Sequence, residues 1–340
     1  MDRKDHHQGN PTPARAPSPN LDRVDVDAVP HLRGEVAAAH ARAHDDVVKV
    51  VRLPLGALFL AGVERLALEG GAGVAQDHVD AAALAVLELL DAAGVDKRLL
   101  ATGYVPLSDM TAAPKIAVEA IDLGCKGLVI PSLCPQHHSP SHKSLDPLWA
   151  IAQEAGIPIL FHVGGEEKMG RAYANNGGER VLDFHGGDEN FTGLSYMAIP
   201  LSIWQTMTAL IFDGVLERFP ALKFGAIELG ASWLPSWLAF MDSGFEAFRK
   251  GESRLQRLTM RPSDYARRQF RVTPYCHEPT GWILKNSDPG MLLFSSDFPH
   301  VEGGRNPMGR FEKATANLNK IDQDKFYRRN FEQLMGSAFK

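Results

Sequence analysis

Apolar residues recur along this chain in a fixed order: a helix-spaced stretch, a glycine, and then a short unbroken apolar run. In the clearest unit we expect Asp146 to cap a helix, with Pro147 in its first turn and Gly156 after its last. One face of this helix is apolar: Leu148, Ile151, Ala152 and Ala155. The run 157–163 has the length of a buried strand and carries His162 near its end, just before two glycines. The pattern predicts a helix, a tight turn, a buried strand and a glycine-rich loop.

The same unit recurs on both sides of this one. Helices are predicted over 83–93, 113–123 and 203–218, and each is followed by an apolar strand. Six strands are predicted: 99–105, 127–130, 157–163, 222–228, 269–274 and 291–296. Residues 22–29 and 47–60 leave room for two more. Because strands that are apolar on both faces alternate with helices, the pattern indicates a parallel sheet covered by helices.

Polar residues stand at the carboxyl ends of several of these strands: His162, Glu228, Thr273 and Asp297. In a (β/α)₈ barrel such ends meet at one mouth, so residues far apart in sequence can share a site. About five or six strands would instead suit an open doubly wound sheet. The phosphate-binding fingerprints GxGxxG and GxxxxGK[ST] are absent, which weakens that alternative. We therefore predict an α/β fold, namely a (β/α)₈ TIM barrel whose geometry can depart from the regular form.

One domain is predicted over 21–340, after a disordered tail at 1–20, and it carries an inserted loop at about 164–195. The last helix, Lys325 to Met335, has its apolar residues on one face and is expected to pack on the outside of the barrel. The uncharged stretch 190–212 is long enough to span a bilayer. Its helical apolar spacing favours a buried core helix over a membrane span.

Composition and charge narrow the class of protein. With 340 residues, 44% of them apolar and 23% charged, the chain has the make-up of an ordinary soluble globular protein. A formal net charge of −5 leaves no basic excess for a nucleic-acid backbone, so that partner is not expected. Three cysteines without a CxxC spacing argue against a disulfide framework or a cysteine zinc site, and they fit the cytoplasm.

The most specific chemical signal is the segment LLFSSDFPHVEGGRNP, in which Asp297 directly follows a buried strand. A carboxylate there can bind a metal ion or take a proton from metal-bound water, whereas a structural one would cap a helix or pair with an arginine. His300 and Glu302 follow in the same loop. His162 can bind a divalent metal through one ring nitrogen, or it can be a hydrogen-bonded core histidine. Glu228 can serve as a metal ligand, a general base or a hydrogen-bond acceptor for the substrate. It can equally be a buried structural carboxylate paired with an arginine or a lysine.

The inserted loop carries further polar groups. Asn176 and His185, together with Glu302, are candidates for contacts with a substrate, because long loops in compact domains are usually functional. No serine elbow GxSxG occurs, and no cysteine stands in a setting that would activate its thiol. Covalent catalysis by serine or cysteine is therefore not expected.

Five segments together resemble the amidohydrolase-2 family, which includes aminocarboxymuconate-semialdehyde decarboxylase and gamma-resorcylate decarboxylase. They are YVPLSD (104–109), KGLVIP (126–131), PILFHVGG (158–165), RFPALKFGAIELGASWLP (218–235) and LLFSSDFPHVEGG (292–304). The resemblance extends from about Leu99 to Met335, and SSDFPH at a strand end is its most specific part.

The resemblance implies a (β/α)₈ barrel with one divalent metal, zinc ahead of manganese, that is bound by His162 and Asp297. It also implies hydrolysis of a C–N or C–O bond, or non-oxidative decarboxylation, of a small carboxylated or carbonyl substrate, and it allows a homodimer. The family's first strand carries Asp-x-His-x-His or Asp-x-Asp-x-His. Here the nearest match is VDVDAVPHL, in which Asp27 would be the third ligand and Val29 stands where a histidine is expected. Glu228 occupies the place where many members have a histidine.

Three hypotheses follow. The first is a metal-dependent hydrolase or carboxy-lyase, in which Asp27, His162 and Asp297 hold the ion. In it, Asp297, Glu228 and His300 move protons on a small-molecule substrate. The second, motivated by the missing histidine of the first strand, is a metal-poor and non-catalytic barrel that binds a small molecule or serves in an assembly. The third is a metal-independent lyase or hydratase that uses Glu228 and His300 as an acid–base pair.

Overall fold

Five parallel strands form the centre of the described part of the protein, and they neighbour one another in their order along the chain. The computed structural model describes residues 100–163, 169–179, 192–297 and 303–339. The predicted tail 1–20, the strands expected within 22–29 and 47–60, and the helix 83–93 lie outside the described residues.

The first part of this region alternates strands with helices, as the sequence predicts. Its elements are β1 Thr102–Tyr104, α1 Ala113–Asp122, β2 Gly127–Ile130, a 3₁₀ turn Lys143–Leu145, α2 Asp146–Ala155, β3 Ile159–His162, a 3₁₀ turn Arg171–Ala174, α3 Gly193–Tyr196, α4 Ile199–Phe212 and α5 Val215–Arg218.

The second part contains two more strands and the closing helices. Its elements are β4 Phe224–Ile227, α6 Leu234–Phe248, α7 Ser253–Gln256, α8 Pro262–Gln269, β5 Phe270–Val272, α9 Thr280–Asn286, α10 Pro307–Thr315, α11 Lys320–Asp324, a π-helical turn Lys325–Arg329, α12 Asn330–Met335 and a 3₁₀ turn Gly336–Phe339.

The sheet keeps the chain order throughout. β1 pairs with β2, β2 with β3, β3 with β4, and β4 with β5, all in parallel. The predicted strand 291–296 joins them only through one parallel bridge, from Val272 to Leu292. A doubly wound sheet reverses its strand order at a switch point, whereas a barrel continues in one direction. The order therefore agrees with the predicted barrel and not with the open sheet.

The two faces of the sheet differ because side chains alternate along each strand. The helix-covered face carries Ile159, Phe161, Phe224, Ala226, Phe270 and Val272. Trp149 of α2 packs against Phe224 on this face, with ring centroids 6.2 Å apart. The inner face carries Leu160, His162, Gly225, Ile227, Arg271 and Thr273. His162 and Thr273 thus stand at the carboxyl ends of their strands and on the inner face.

The predicted helix 203–218 is two helices in the structure. α4 begins earlier, at Ile199, with Pro200 in its first turn, and it ends at Phe212. Gly214, at a φ of 75°, then adopts the left-handed conformation that glycine tolerates, and α5 starts after it. The apolar period continues across this break, so the sequence pattern did not reveal it.

The predicted helix cap at Asp146 is wrong. Asp146 is the first residue of α2, and Leu145 precedes it without a side-chain cap. The Asp146 carboxylate instead accepts two hydrogen bonds from the Arg218 guanidinium, at 2.7 and 3.0 Å. Gly156 does end this helix in the left-handed conformation, as predicted.

The end of the chain also differs from its predicted form. The π-helical turn Lys325–Arg329 interrupts the expected single helix and divides its apolar residues between two places. Phe326 packs with Phe311, their ring centroids 5.3 Å apart, whereas Leu334 joins Leu160 on the inner face of the sheet. The expectation that this helix packs only on the outside of the barrel is therefore wrong.

The uncharged stretch forms a core helix, as predicted. Gly193–Phe212 is the one helical stretch in the described ranges that is long and apolar enough to cross a membrane. Within it, α4 buries Ile199, Ser202, Ile203, Thr206, Met207, Leu210 and Ile211. Thr206 Oγ1 donates a hydrogen bond to the Ser132 carbonyl oxygen at 2.6 Å. A helix whose buried hydroxyl bonds to another segment of the protein is packed in its interior.

Two helical glycines allow a matched test of how closely α9 packs against α10. A Cβ at Gly281 in α9 would overlap the backbone carbonyl oxygen of Ala314, whereas a Cβ at Gly244 in α6 meets nothing within 4 Å. We expect Gly281→Ala to lower the free energy of unfolding by about 1–3 kcal/mol, because a backbone atom cannot easily move aside. Gly244→Ala should raise it by about 0.5–1 kcal/mol through helix propensity. Urea unfolding measures both, and equal effects would contradict the close contact of α9 with α10.

Candidate active site

His162 is the last residue of β3 and lies on the inner face of the sheet. Its Nδ1 lies 2.7 Å from the carbonyl oxygen of Val163. Because a carbonyl oxygen only accepts, Nδ1 carries a proton in this contact, and Nε2 faces the opposite way. A backbone carbonyl on the second ring nitrogen is the usual means by which a metal-binding histidine is oriented.

Glu228 meets this histidine directly. His162 Nε2 and Glu228 Oε2 are 2.9 Å apart, with the two side chains 13% and 15% exposed. Since Nδ1 is already protonated, so short a contact requires one more proton between Nε2 and Oε2. The pair is either an imidazolium with a carboxylate or a neutral imidazole that accepts from a carboxylic acid. In both forms it holds one transferable proton at the strand ends.

Glu228 and Asp297 share an uncommon backbone conformation. They are the two non-glycine residues with positive φ in the described ranges, at 59° and 54°. The left-handed conformation costs a residue with a Cβ roughly 1–2 kcal/mol. Such strain clusters at functional sites, where the surrounding structure holds a side chain in a required direction. The sequence singled out both residues for their places after strands, and the strain is independent support for a functional role.

The segment after β5 holds Glu228 from both sides. Thr273 Oγ1 accepts from the Glu228 N–H at 2.9 Å, and the Tyr275 hydroxyl donates to the Glu228 carbonyl oxygen at 2.7 Å. Burial, followed by the charge of Glu228 and a smaller contribution from Asp297, raises the pKa of Tyr275 far above its ordinary value. The hydroxyl therefore stays protonated as a donor.

Gly303 packs closely against Asp297. A Cβ at Gly303 would overlap the carbonyl oxygen of Ser296 and come within 3.1 Å of the Asp297 side chain. Cys276 Sγ donates to the Gly303 carbonyl oxygen at 3.3 Å. A residue without a Cβ at position 303 can lie directly against the backbone of the aspartate.

Asn176 lies exposed in the described part of the inserted loop. Its Oδ1 accepts from the Gly178 N–H at 2.9 Å, a contact typical of a local turn. Its contact with a substrate stays a prediction. Four other predicted site residues lie outside the described ranges: Asp27, His185, His300 and Glu302.

Sequence reasoning missed Tyr275 and Glu278, which both follow β5. Glu278 is buried, and its carboxylate accepts hydrogen bonds from the backbone N–H groups of Ala231, Ser232 and Tyr275. The segment that contains them, YCHEP (275–279), directly follows the predicted strand 269–274. The rule that polar residues after strands form sites would have found them if it had been applied further into the loop.

Two of the three cysteines, Cys125 and Cys276, are buried. No disulfide joins the three cysteines of the chain, all of which are described. Burial raises the pKa of the Cys125 thiol to about 11, which disfavours the reactive thiolate at neutral pH.

The donors at the strand ends suit a divalent metal in their chemistry. Within the described ranges no group of three or more His, Cys, Asp or Glu side chains is placed to hold an ion. The predicted third ligand, Asp27, lies outside those ranges. Of the other two, His162 directs Nε2 toward Glu228 while Nδ1 contacts the Val163 carbonyl, so a bound ion would take the place of the Nε2–Glu228 contact. Asp297 has carboxylate oxygens. Imidazole and carboxylate are ligands that zinc and manganese both accept.

Several solved structures share this fold. An amidohydrolase from Mycobacterium avium subsp. paratuberculosis K-10 has a TM-score of 0.60 and 24% identity, covering 77% of this chain and 66% of that one. The chain thus spans just under two thirds of that relative. A manganese-bound dihydroxybenzoic acid decarboxylase from Polaromonas sp. JS666, with the inhibitor 2-nitroresorcinol, has a TM-score of 0.59 and 16% identity, covering 77% of this chain and 75% of that one. The 5-carboxyvanillate decarboxylase of Sphingomonas paucimobilis has a TM-score of 0.58 and 15% identity, covering 89% and 95%.

At these identities the structural likeness shows the fold, which is the predicted TIM barrel. No curated protein matches the chain in sequence. The profile of the amidohydrolase family matches residues 19–334, which is nearly the whole chain. The match includes both residues of the His162–Glu228 pair and also Asp297. The chain therefore belongs to the amidohydrolase family, a family of metal-dependent enzymes.

Proposed function

We propose that this protein is a metal-dependent carboxy-lyase that removes CO₂ from a small carboxylated substrate without oxidation. The observation that carries the proposal is the place of the Glu228 carboxyl group at the strand ends, 2.9 Å from His162 Nε2, where Glu228 can hold a proton beside the proposed metal ligand. Decarboxylation needs such a proton, because the carbon that loses CO₂ must gain one. The dihydroxybenzoic acid and 5-carboxyvanillate decarboxylases, which are similar in fold, support this class of reaction.

Hydrolysis of a C–N or C–O bond is the second candidate, and the family to which the chain belongs favours it. In that reaction Glu228 would remove a proton from the attacking water and return it to the leaving group. The same pair of residues serves both reactions. The choice between them then depends on the substrate that the loops admit.

We infer that Asp27, His162 and Asp297 hold one divalent ion, zinc or manganese. When bound, the ion supplies Lewis-acid polarisation of a substrate oxygen. The manganese in the fold relative supports a divalent ion, and the contact of His162 Nδ1 with the Val163 carbonyl supports His162 as a ligand.

The chain's own residues handle the proton and the substrate in this proposal. Glu228 holds the proton at Oε2 and delivers it, with Asp297 and His300 as further proton-transfer groups. The left-handed backbone of Glu228 and Asp297 supports their role, because strain of this kind aims a side chain. The residues proposed to contact the substrate are His185, Asn176 and Glu302.

Metal dependence separates this proposal from the metal-poor barrel that Val29 suggests. We expect the purified protein to contain a stoichiometric divalent metal and to release CO₂ from hydroxybenzoates, or to hydrolyse lactones or amides. A chelator should abolish turnover, and Mn²⁺ or Zn²⁺ should restore it. Elemental analysis and the two assays measure these outcomes. The His162→Ala variant should lose the metal, whereas turnover that is insensitive to chelator would contradict metal dependence.

Glu228→Gln tests the proton-transfer role. The substitution keeps the shape of the side chain but removes the ionisable carboxyl group, so kcat should fall by about 10²–10⁴-fold while metal content stays the same. Asp146→Asn is the matched control, because Asp146 is a carboxylate on the outside of the barrel that pairs with Arg218. Unchanged kcat in Glu228→Gln would remove Glu228 from the mechanism. If the wild-type enzyme turns over without metal and Glu228→Gln still lowers kcat by the same factor, the metal-independent lyase is favoured.

A homodimer in the cytoplasm completes the proposal. The cysteines without disulfides support the compartment. Two exposed apolar side chains, Leu201 of α4 and Phe240 of α6, 44% and 69% exposed, support self-association. Phe240→Glu should shift the protein to monomer in sedimentation equilibrium, whereas Ile321→Glu, at an equally exposed apolar position on α11, should not. A monomeric wild-type protein would contradict the homodimer.

A further inference from the structure

Glu278 is a buried carboxylate, 9% exposed, that the site as predicted did not include. Its Oε1 accepts from the N–H groups of Ser232 at 2.7 Å and Ala231 at 3.0 Å. Its Oε2 accepts from the N–H of Tyr275 at 2.6 Å and shares that of Ala231 at 3.1 Å. Burial of a carboxylate is costly unless hydrogen bonds replace its water, and three backbone N–H groups do so here. The donors come from two loops, one after β4 and the other after β5.

Both loops lead directly to Glu228. The loop after β4 begins at Glu228 and reaches Ala231 and Ser232, whose N–H groups bond to Glu278. In the loop after β5, the Tyr275 backbone bonds to Glu278 while its hydroxyl donates to the Glu228 carbonyl oxygen at 2.7 Å. One carboxylate therefore fixes the backbone shortly after Glu228 and also the tyrosine that holds Glu228.

The backbone between these points is strained. Glu228 has a φ of 59° and Gly230 a φ of 65°, so two left-handed residues stand close together. A Cβ at Gly230 would lie 3.4 Å from the Tyr275 ring and 3.5 Å from Glu278, which shows how closely the two loops pack. If Glu228 relaxed to an ordinary φ, its side chain would leave the direction in which it meets His162.

We propose that Glu278 is a positioning residue for the candidate active site. Its carboxylate joins the loops after β4 and β5, and it thereby keeps Glu228 in the conformation that brings Glu228 to His162. The effect on turnover rests on the proposed function, but the effect on the geometry of Glu228 does not. A glutamine cannot replace Glu278, because in either amide orientation its NH₂ group would face an N–H donor, from Ser232 or from Tyr275.

The test compares Glu278→Gln with Glu217→Gln in the full chain. Glu217 also accepts from a tyrosine, Tyr265, but it lies in α5, before the amino end of β4. We expect Glu278→Gln to lower kcat by about 10–100-fold with KM and metal content unchanged, as loss of a group that orients another typically does. Its crystal structure should show the Glu228 carboxylate displaced from its wild-type position beside His162. Glu217→Gln should leave both the kcat and that position intact.

Tyr275→Phe keeps the test decisive if Glu278→Gln does not fold, because it removes only the hydroxyl that holds the Glu228 carbonyl. Like Glu278→Gln, it should lower kcat and move Glu228 away from His162. The proposal is overturned if either variant keeps wild-type kcat and a crystal structure with Glu228 still paired to His162. If the wild-type enzyme neither releases CO₂ nor hydrolyses esters or amides, the proposed function fails. The crystallographic comparison then still decides the role of Glu278.

Discussion

Parallel pairing of the strands in chain order is the constraint on which the site depends. Because β3, β4, β5 and the segment bridged at Leu292 all run the same way, the loops that follow them start from one edge of the sheet. Alternation along the strands then decides which residues face inward, and His162 is one of them. In this way a histidine after one strand and a glutamate after the next come to lie 2.9 Å apart.

The conformation of Glu228 depends on a balance of small energies. A left-handed residue with a side chain costs roughly 1–2 kcal/mol, and a typical hydrogen bond contributes only about 1 kcal/mol net. The bonds from Glu228 to Thr273 and Tyr275 are thus of the same size as the strain they oppose. The conformation persists because the loop after β5 is itself tied down by the buried Glu278. The position of Glu228 at the end of β4 therefore depends on the packing of the loop that follows β5.

Much of the fold could be predicted from apolar periodicity, because helices and buried strands are local patterns. The limits β2 Gly127–Ile130 and α1 Ala113–Asp122 lie within a residue of the predicted ranges. The break at Gly214 and the π-helical turn Lys325–Arg329 could not be predicted, since the apolar spacing continues through both. Asp146 could serve equally as a helix cap or as an ion-pair partner, and only the fold brings Arg218 beside it.

Local sequence patterns specify the order of helices and strands, the burial of the strands, and the polar residues at their ends: His162, Glu228 and Asp297. Each of these is a property of a few consecutive residues. The assembled fold, by contrast, brings Glu228 to His162, gives Glu228 its left-handed backbone, and lets Glu278 join the two loops beside it. The reason is physical: such contacts depend on strand register and on how separate loops close against each other, and no local pattern in a chain specifies either.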